Sequence, residues 1–139
     1  MAQQFSVAVR NAAADARETA IGPSPKLRFY TGGQPINCAA TRTGTVICEI
    51  SLPADWMAAA SGGSKGMLGT WSGFGNSAAG TGTTIGHFAV MDTAGTTCHW
   101  QGKVGVVGDA TADMTVENLS LAQGQAISVV NCTNTEGNA

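Results

Sequence analysis

At 139 residues the chain has the length of one ordinary domain, and with 43% hydrophobic residues it can bury a single core of its own. Only 12% of the residues are charged, about half the usual share of roughly 25%, so the surface is made largely of Gly, Ser, Thr, Asn and Ala. A net charge of -2 supplies no basic stripe for phosphates, which argues against nucleic acid as a partner, and no run approaches the roughly 18 apolar residues of a membrane span. So little charge fits either a turn-rich soluble domain or a surface that neighbouring subunits cover.

Residues 1–10 lack the basic segment and apolar stretch of a secretory signal, and synthesis and assembly are therefore expected in the cytoplasm. There Cys38, Cys48, Cys98 and Cys132 should be thiols. Four cysteines permit three pairings, and a buried thiol is the default for each.

Residues 6–21 are rich in alanine and other helix formers and stop at Gly22-Pro23, the pattern of a helix end. The apolar groups of this helix, Val9, Ala13, Ala16 and Ala20, are small and offer little area at about 25 cal/mol per Å². It reads either as an arm that docks on a neighbour or as a helix packed on its own sheet. Past Pro25 the signal changes to short strands punctuated by glycine. Residues 26–31 form one strand and 45–52 another, the latter with Val46, Cys48, Ile50 and Leu52 on one face and Ile47, Glu49 and Ser51 on the other. A helical turn is expected over 53–60, a flexible connector over 61–66, a strand over 67–74 and a loop of small residues over 75–82.

Residues 85–107 read as a hairpin closed by the loop 92–96. Pairing Met91 with Thr97 sets Phe88 opposite Trp100 and Val90 opposite Cys98 on a buried face, with His87, Ala89, His99, Gln101 and Lys103 on the other. A second hairpin is expected through 108–113, and residues 125–133 supply the last strand, with Ile127 and Val129 inward. The fold class that follows is all-β: a β-sandwich, jelly-roll or immunoglobulin-like, with an N-terminal α-helix. The division expected is a helical arm over 1–25 and a β-sandwich domain over 26–139.

No constellation of catalytic residues emerges. Gly62-Gly63-Ser64-Lys65-Gly66 matches G-x-S-x-G, with Asp92 and His99 following in hydrolase order, but a nucleophile elbow needs a hydrophobic strand before the serine and a helix after it. Here Ala58-Ala59-Ala60 precedes and glycine surrounds, so Ser64 is read as a loop residue, and Lys65 lacks the spacing of a phosphate loop. His87 and His99 could share a metal, yet no carboxylate or thiol completes a set of four ligands. Asp92, Asp109 and Asp113 sit in turns and Asp15 and Glu18 on the helix, which leaves no opposed pair for glycoside hydrolysis. Trp56, Trp71 and Trp100 could stack on a sugar if exposed together, and core packing is the simpler use of them. The sequons at Asn118 and Asn131 carry no meaning for a chain made in the cytoplasm. No catalytic, cofactor-binding or metal-ligating residue is therefore expected.

The opening Met1-Ala2-Gln3-Gln4-Phe5-Ser6 with Ala8-Val9-Arg10-Asn11-Ala12, the helix end Glu18-Thr19-Ala20-Ile21-Gly22, Asn37-Cys38-Ala39-Ala40, residues 52–60 and Gly95-Thr96-Thr97-Cys98-His99 with Gln101-Gly102 form an ordered set spanning nearly the whole chain. Together they resemble a family of small, largely uncharacterised virion proteins of tailed phages and prophages. The resemblance implies a non-enzymatic structural protein of the virion, assembled in the bacterial host cytoplasm, and brings no catalytic residues. Cys48 and Cys132 lie outside the pattern. Two roles fit: a capsid decoration or cement protein whose partners are the major capsid protein and copies of itself, or a tail- or fibre-associated module that binds a host glycan.

Overall fold

The computed structural model describes residues 3–136. Its helix, α1 (Val7–Ile21), begins at Ser6, whose extended backbone lets Oγ accept the Val9 N–H at 3.3 Å. It ends where Gly22, at a φ of 93° that suits glycine, returns its N–H to the Glu18 carbonyl at 2.9 Å. The side facing the body is not the alanine stripe expected. Arg10, Asn11, Ala14, Glu18 and Ile21 turn inward, while Val9, Ala13, Ala16 and Ala20 face outward. Alanines have too little area to decide the orientation, so polar contacts decide it.

Those contacts tie α1 to its own chain. Asn11 Oδ1 accepts the Gly63 N–H at 2.8 Å, Asp15 accepts the Ala60 N–H at 3.2 Å, and Arg10 donates to the Glu136 carbonyl at 3.3 Å. Arg17 bonds both Asn134 and Glu136.

The rest of the described chain is strands. β1 (Lys26–Tyr30) and β2 (Val46–Ser51) lie where the alternation placed them. After β2, residues 53–60 do not form a helical turn: they run irregularly, pairing Ala58 N–H with Gly66 O at 2.9 Å and Trp56 O with Leu68 N–H at 2.9 Å. Burying Trp56 and Met57 outweighs the local preference of the alanines. The expected connector 61–66 is a tight turn followed by β3 (Ser64–Gly66), and the strand expected over 67–74 contracts to β4 (Ser72–Phe74). A single 3-10 turn, Ser77–Ala79, interrupts the small-residue loop. Then come β5 (Thr83–Thr84), β6 (His87–Met91), β7 (Cys98–Gly102), β8 (Val104–Val106), β9 (Met114–Val116), β10 (Ser120–Leu121) and β11 (Ala126–Thr135).

One sheet is antiparallel in the order β2-β1-β6-β7, and the other runs β3-β11-β9-β8. The long β11 organises the second: β4 pairs with its beginning, β3 with its end, and β9 with its other edge. β5 and β10 form a small ribbon. No hairpin spans 108–113. β8 and β9 are parallel, because Asp113 Oδ2 takes the Lys103 N–H at 2.9 Å and the Asp113 and Met114 N–H groups both return to Lys103 O, which carries the chain back to where β8 starts.

Both sheets feed one core, in which Leu27, Phe29, Ile50, Phe88 and Val90 meet Val104, Met114, Val116, Ile127, Val129 and Cys132. Trp56 and Trp71 lean on each other at 5.9 Å inside it. Three bulges reset the alternation of strands that pair across them. The bulge between β1 and β2 turns Ile47 inward beside Cys48 and sends Val46 to the opposite face. The bulge between β6 and β7 changes the expected register, so that Met91 faces Cys98, Val90 faces Trp100 and Phe88 faces Gly102. Phe88 nonetheless meets Trp100 edge-on at 5.3 Å, and Cys98 leaves the core face. The third, between β9 and β11, brings Cys132 inward two places after Val130 points out.

The far face of β6, which carries His87 and Ala89, is also buried. Loop 31–45 covers it. Tyr30 stacks on His87 at 5.1 Å, and His87 Nδ1 lies 3.1 Å from the Gly32 carbonyl. At Gly86 the loop backbone passes so near that a Cβ would sit 1.9 Å from Gly32 O, which only glycine permits.

Candidate functional site

The residues that could have carried chemistry are kept apart by the fold. Ser64 opens β3 and bonds the Thr135 hydroxyl at 3.2 Å. Asp92 closes the β6–β7 turn, accepting the Thr96 and Thr97 N–H groups at 2.8 and 3.3 Å, bonds that hold its carboxyl below the usual range. His99 is exposed on β7, and no hydrogen bond joins these three. His87 is buried on the opposite side of the hairpin ladder, where burial first and then the Arg42 charge lower its pKa despite the Gly32 bond. Among the described residues no three His, Cys, Asp or Glu side chains come together as a metal site. Trp56 and Trp71 are core; Trp100 is half-buried.

Basic side chains are consumed internally. Lys26 and Arg28 bracket Glu49 at 3.2 and 2.6 Å, Lys103 reaches Asp109 at 3.2 Å, and Arg42 bonds Gln101 at 2.7 Å. Bonds from Thr111 and then Lys103 push Asp109 down to about 2. The strongest case is Lys65, which sequence placed in a solvated loop and which is only 3% exposed, bound to Asp15 at 2.6 Å and Glu18 at 2.8 Å. The lone signal was a pair of carboxylates one helical turn apart on α1.

This trio predicts how docking of α1 depends on pH. The Lys65 bond, with the Ala60 N–H, holds Asp15 below its ordinary 3.8, so its contribution is complete above that value and lost as pH falls through the native pKa. For Lys65, burial opposes the charge but Asp15 and Glu18 prevail and hold it above 10.5; its contribution is complete below that and lost as pH rises through the native pKa. Amide protection in α1, corrected for intrinsic exchange, is expected to be level from about pH 4 to pH 10 and to fall on both sides.

The fold leaves large apolar side chains open on the outer face of the second sheet. On β11, with Ile127 and Val129 inward, Ala126, Ser128 and Val130 face out, and Phe74 of β4 sits beside Ala126. Phe74 is 66% exposed and Val130 47%. A groove of about 310 Å³, lined by Glu117, Asn118, Gln125, Ser128 and Val130, runs along this face. A second cleft of about 310 Å³ lies between α1 and β7, where Trp100 and His99 meet Arg17 and Asn134. Neither was legible in the sequence, because each joins distant parts of the chain, β4 with β11 at the first and α1 with β7 at the second. No helix among the described residues is long and apolar enough to cross a membrane.

Comparison with family models, with curated proteins and with solved structures finds no match for this chain.

Proposed function

We propose that this chain is a non-enzymatic structural protein of a tailed-phage virion, a decoration or cement protein that binds and stabilises the head shell. In this reading the two sheets are the layers of a β-sandwich, jelly-roll or immunoglobulin-like, and the partners are the major capsid protein and further copies of this chain. The observation that carries it is the outer face of β4 and β11: an exposed Phe74 and Val130 on a surface with Glu117 as the charge at its groove, in a molecule where Lys26, Arg28, Lys65 and Lys103 pair with carboxylates of the same chain. Such a face suits repeated, weak apolar contacts, which add up when many copies sit on a symmetric shell. The resemblance of the opening segment and of the Cys38 and Cys98 neighbourhoods to phage virion proteins supports the same origin.

The cleft at Trp100, His99 and Arg17 favours a second reading, a tail-associated module that stacks a host glycan on an aromatic ring. Particles lacking the protein separate the two. Cement predicts loss of resistance to heat and osmotic shock with normal adsorption to cells, and intact heads that no longer adsorb would instead support the tail role. Purified Phe74→Ser, whose side chain is mostly in solvent, should melt like the wild type but fail to restore heat resistance when added back. Full restoration by that variant would remove this face from the account.

A further inference from the structure

Beneath loop 31–45 the outer face of the first sheet holds a cluster that the adhesive reading does not use. Cys98, turned outward by the bulge, packs beside Tyr30, Ala89 and Met91. Cys38, in the loop, is half-buried and near enough to Cys98 to raise its thiol pKa. The loop is pinned there by bonds that involve neither sulfur. Gln101 Nε2 donates to the Pro35 carbonyl at 2.8 Å, and Arg42 Nη2 donates to the Asn37 carbonyl at 3.1 Å and to Gln101 Oε1 at 2.7 Å. The residues before and after Cys38 are thus both anchored to β7, the strand that carries Cys98. Cys48 and Cys132, by contrast, are fully buried in the core on separate sheets.

We propose that Cys38 and Cys98 are a disulfide-forming pair that clasps loop 31–45 to β7 when the chain meets a small oxidising disulfide such as oxidised glutathione. The thiolate of one cysteine attacks a glutathione sulfur, the glutathione S–S bond breaks, and one glutathione thiolate leaves. The second cysteine, deprotonated in turn, attacks the sulfur of the first and expels the other glutathione. Two protein thiols lose two electrons and two protons, and one glutathione disulfide becomes two glutathione thiols. Burial and the adjoining Cys38 push the Cys98 thiol up to about 11, with the Arg42 charge pulling the other way, so the pair reacts slowly and stays reduced in a reducing compartment. The clasp would hold Ile36, 93% exposed at the loop surface, in a fixed position.

The test uses the full chain, folded, incubated with oxidised glutathione, then denatured, alkylated and weighed, with peptides mapped. Expected are two alkylatable thiols in place of four, a peptide joining Cys38 to Cys98, and a melting temperature higher by about 5–15 °C. Cys38→Ser should leave a glutathione adduct on Cys98 and no such rise. Four free thiols, a bridge through Cys48 or Cys132, or stable glutathione adducts on both Cys38 and Cys98 would each overturn the pair, as would a bridged chain that melts no higher. None of these readouts depends on the virion role, which stands or falls separately.

Discussion

Phe88→Ala should lower the free energy of unfolding by about 3–5 kcal/mol, measured as a shifted urea midpoint at unchanged slope. The ring is fully buried and stands at the centre of the first sheet, on β6, where β1 and β7 flank it and the second sheet closes over it. Its removal costs the transfer energy of the side chain, the cavity left behind, and the edge-on contact with Trp100. Trp100→Ala removes a larger side chain yet should cost less, about 2 kcal/mol, because one side of the indole faces the cleft below α1 and gains less from burial. Equal losses would mean that Trp100 is as deeply packed as Phe88. A near-wild-type Phe88→Ala would contradict the placement of the core.

Lys65→Ala should cost about 2–3 kcal/mol and loosen α1 selectively. Lys65 is the bolt of the helix: it is buried, and its ammonium gathers Asp15 and Glu18 from adjacent turns. Without it, Glu18 keeps only the Met57 N–H at 3.4 Å, and its carboxylate stays partly desolvated beside β3. The loss stays below that of a fully dry pair because Asp15 is half in water and regains hydration. Hydrogen exchange should show α1 opening while β1, β6 and β11 keep their protection. Uniform loss of protection would mean that the helix and the sheets unfold as one cooperative unit.

These two residues show what the sequence could and could not reveal. Local signals held. Ser6 and Gly22 mark the ends of α1 through hydrogen bonds to near neighbours, and the alternation of Cys48, Ile50 and Leu52 survives because it lies beyond the bulge. The hairpin loop at Asp92 formed as expected, since its carboxylate bonds residues four and five places on. The expected faces of β2 and the expected register of β6 with β7 failed where a bulge intervened, because an extra residue in one strand is specified by both partners together. The parallel pairing of β8 and β9 depends on one carboxylate, Asp113, reaching back to Lys103. The buried Lys65 and the exposed Phe74 were invisible for the same reason: each takes its environment from an element far away in sequence, α1 for one and β11 for the other.

The position of the polypeptide in a purified phage particle, imaged by electron microscopy, tests the proposed cement role most directly. Density of this shape repeated across the head shell, with the face of Phe74 and Val130 turned toward the capsid lattice, is the result it predicts. Heads bare of such density, in particles whose protein content lacks this chain, would contradict it.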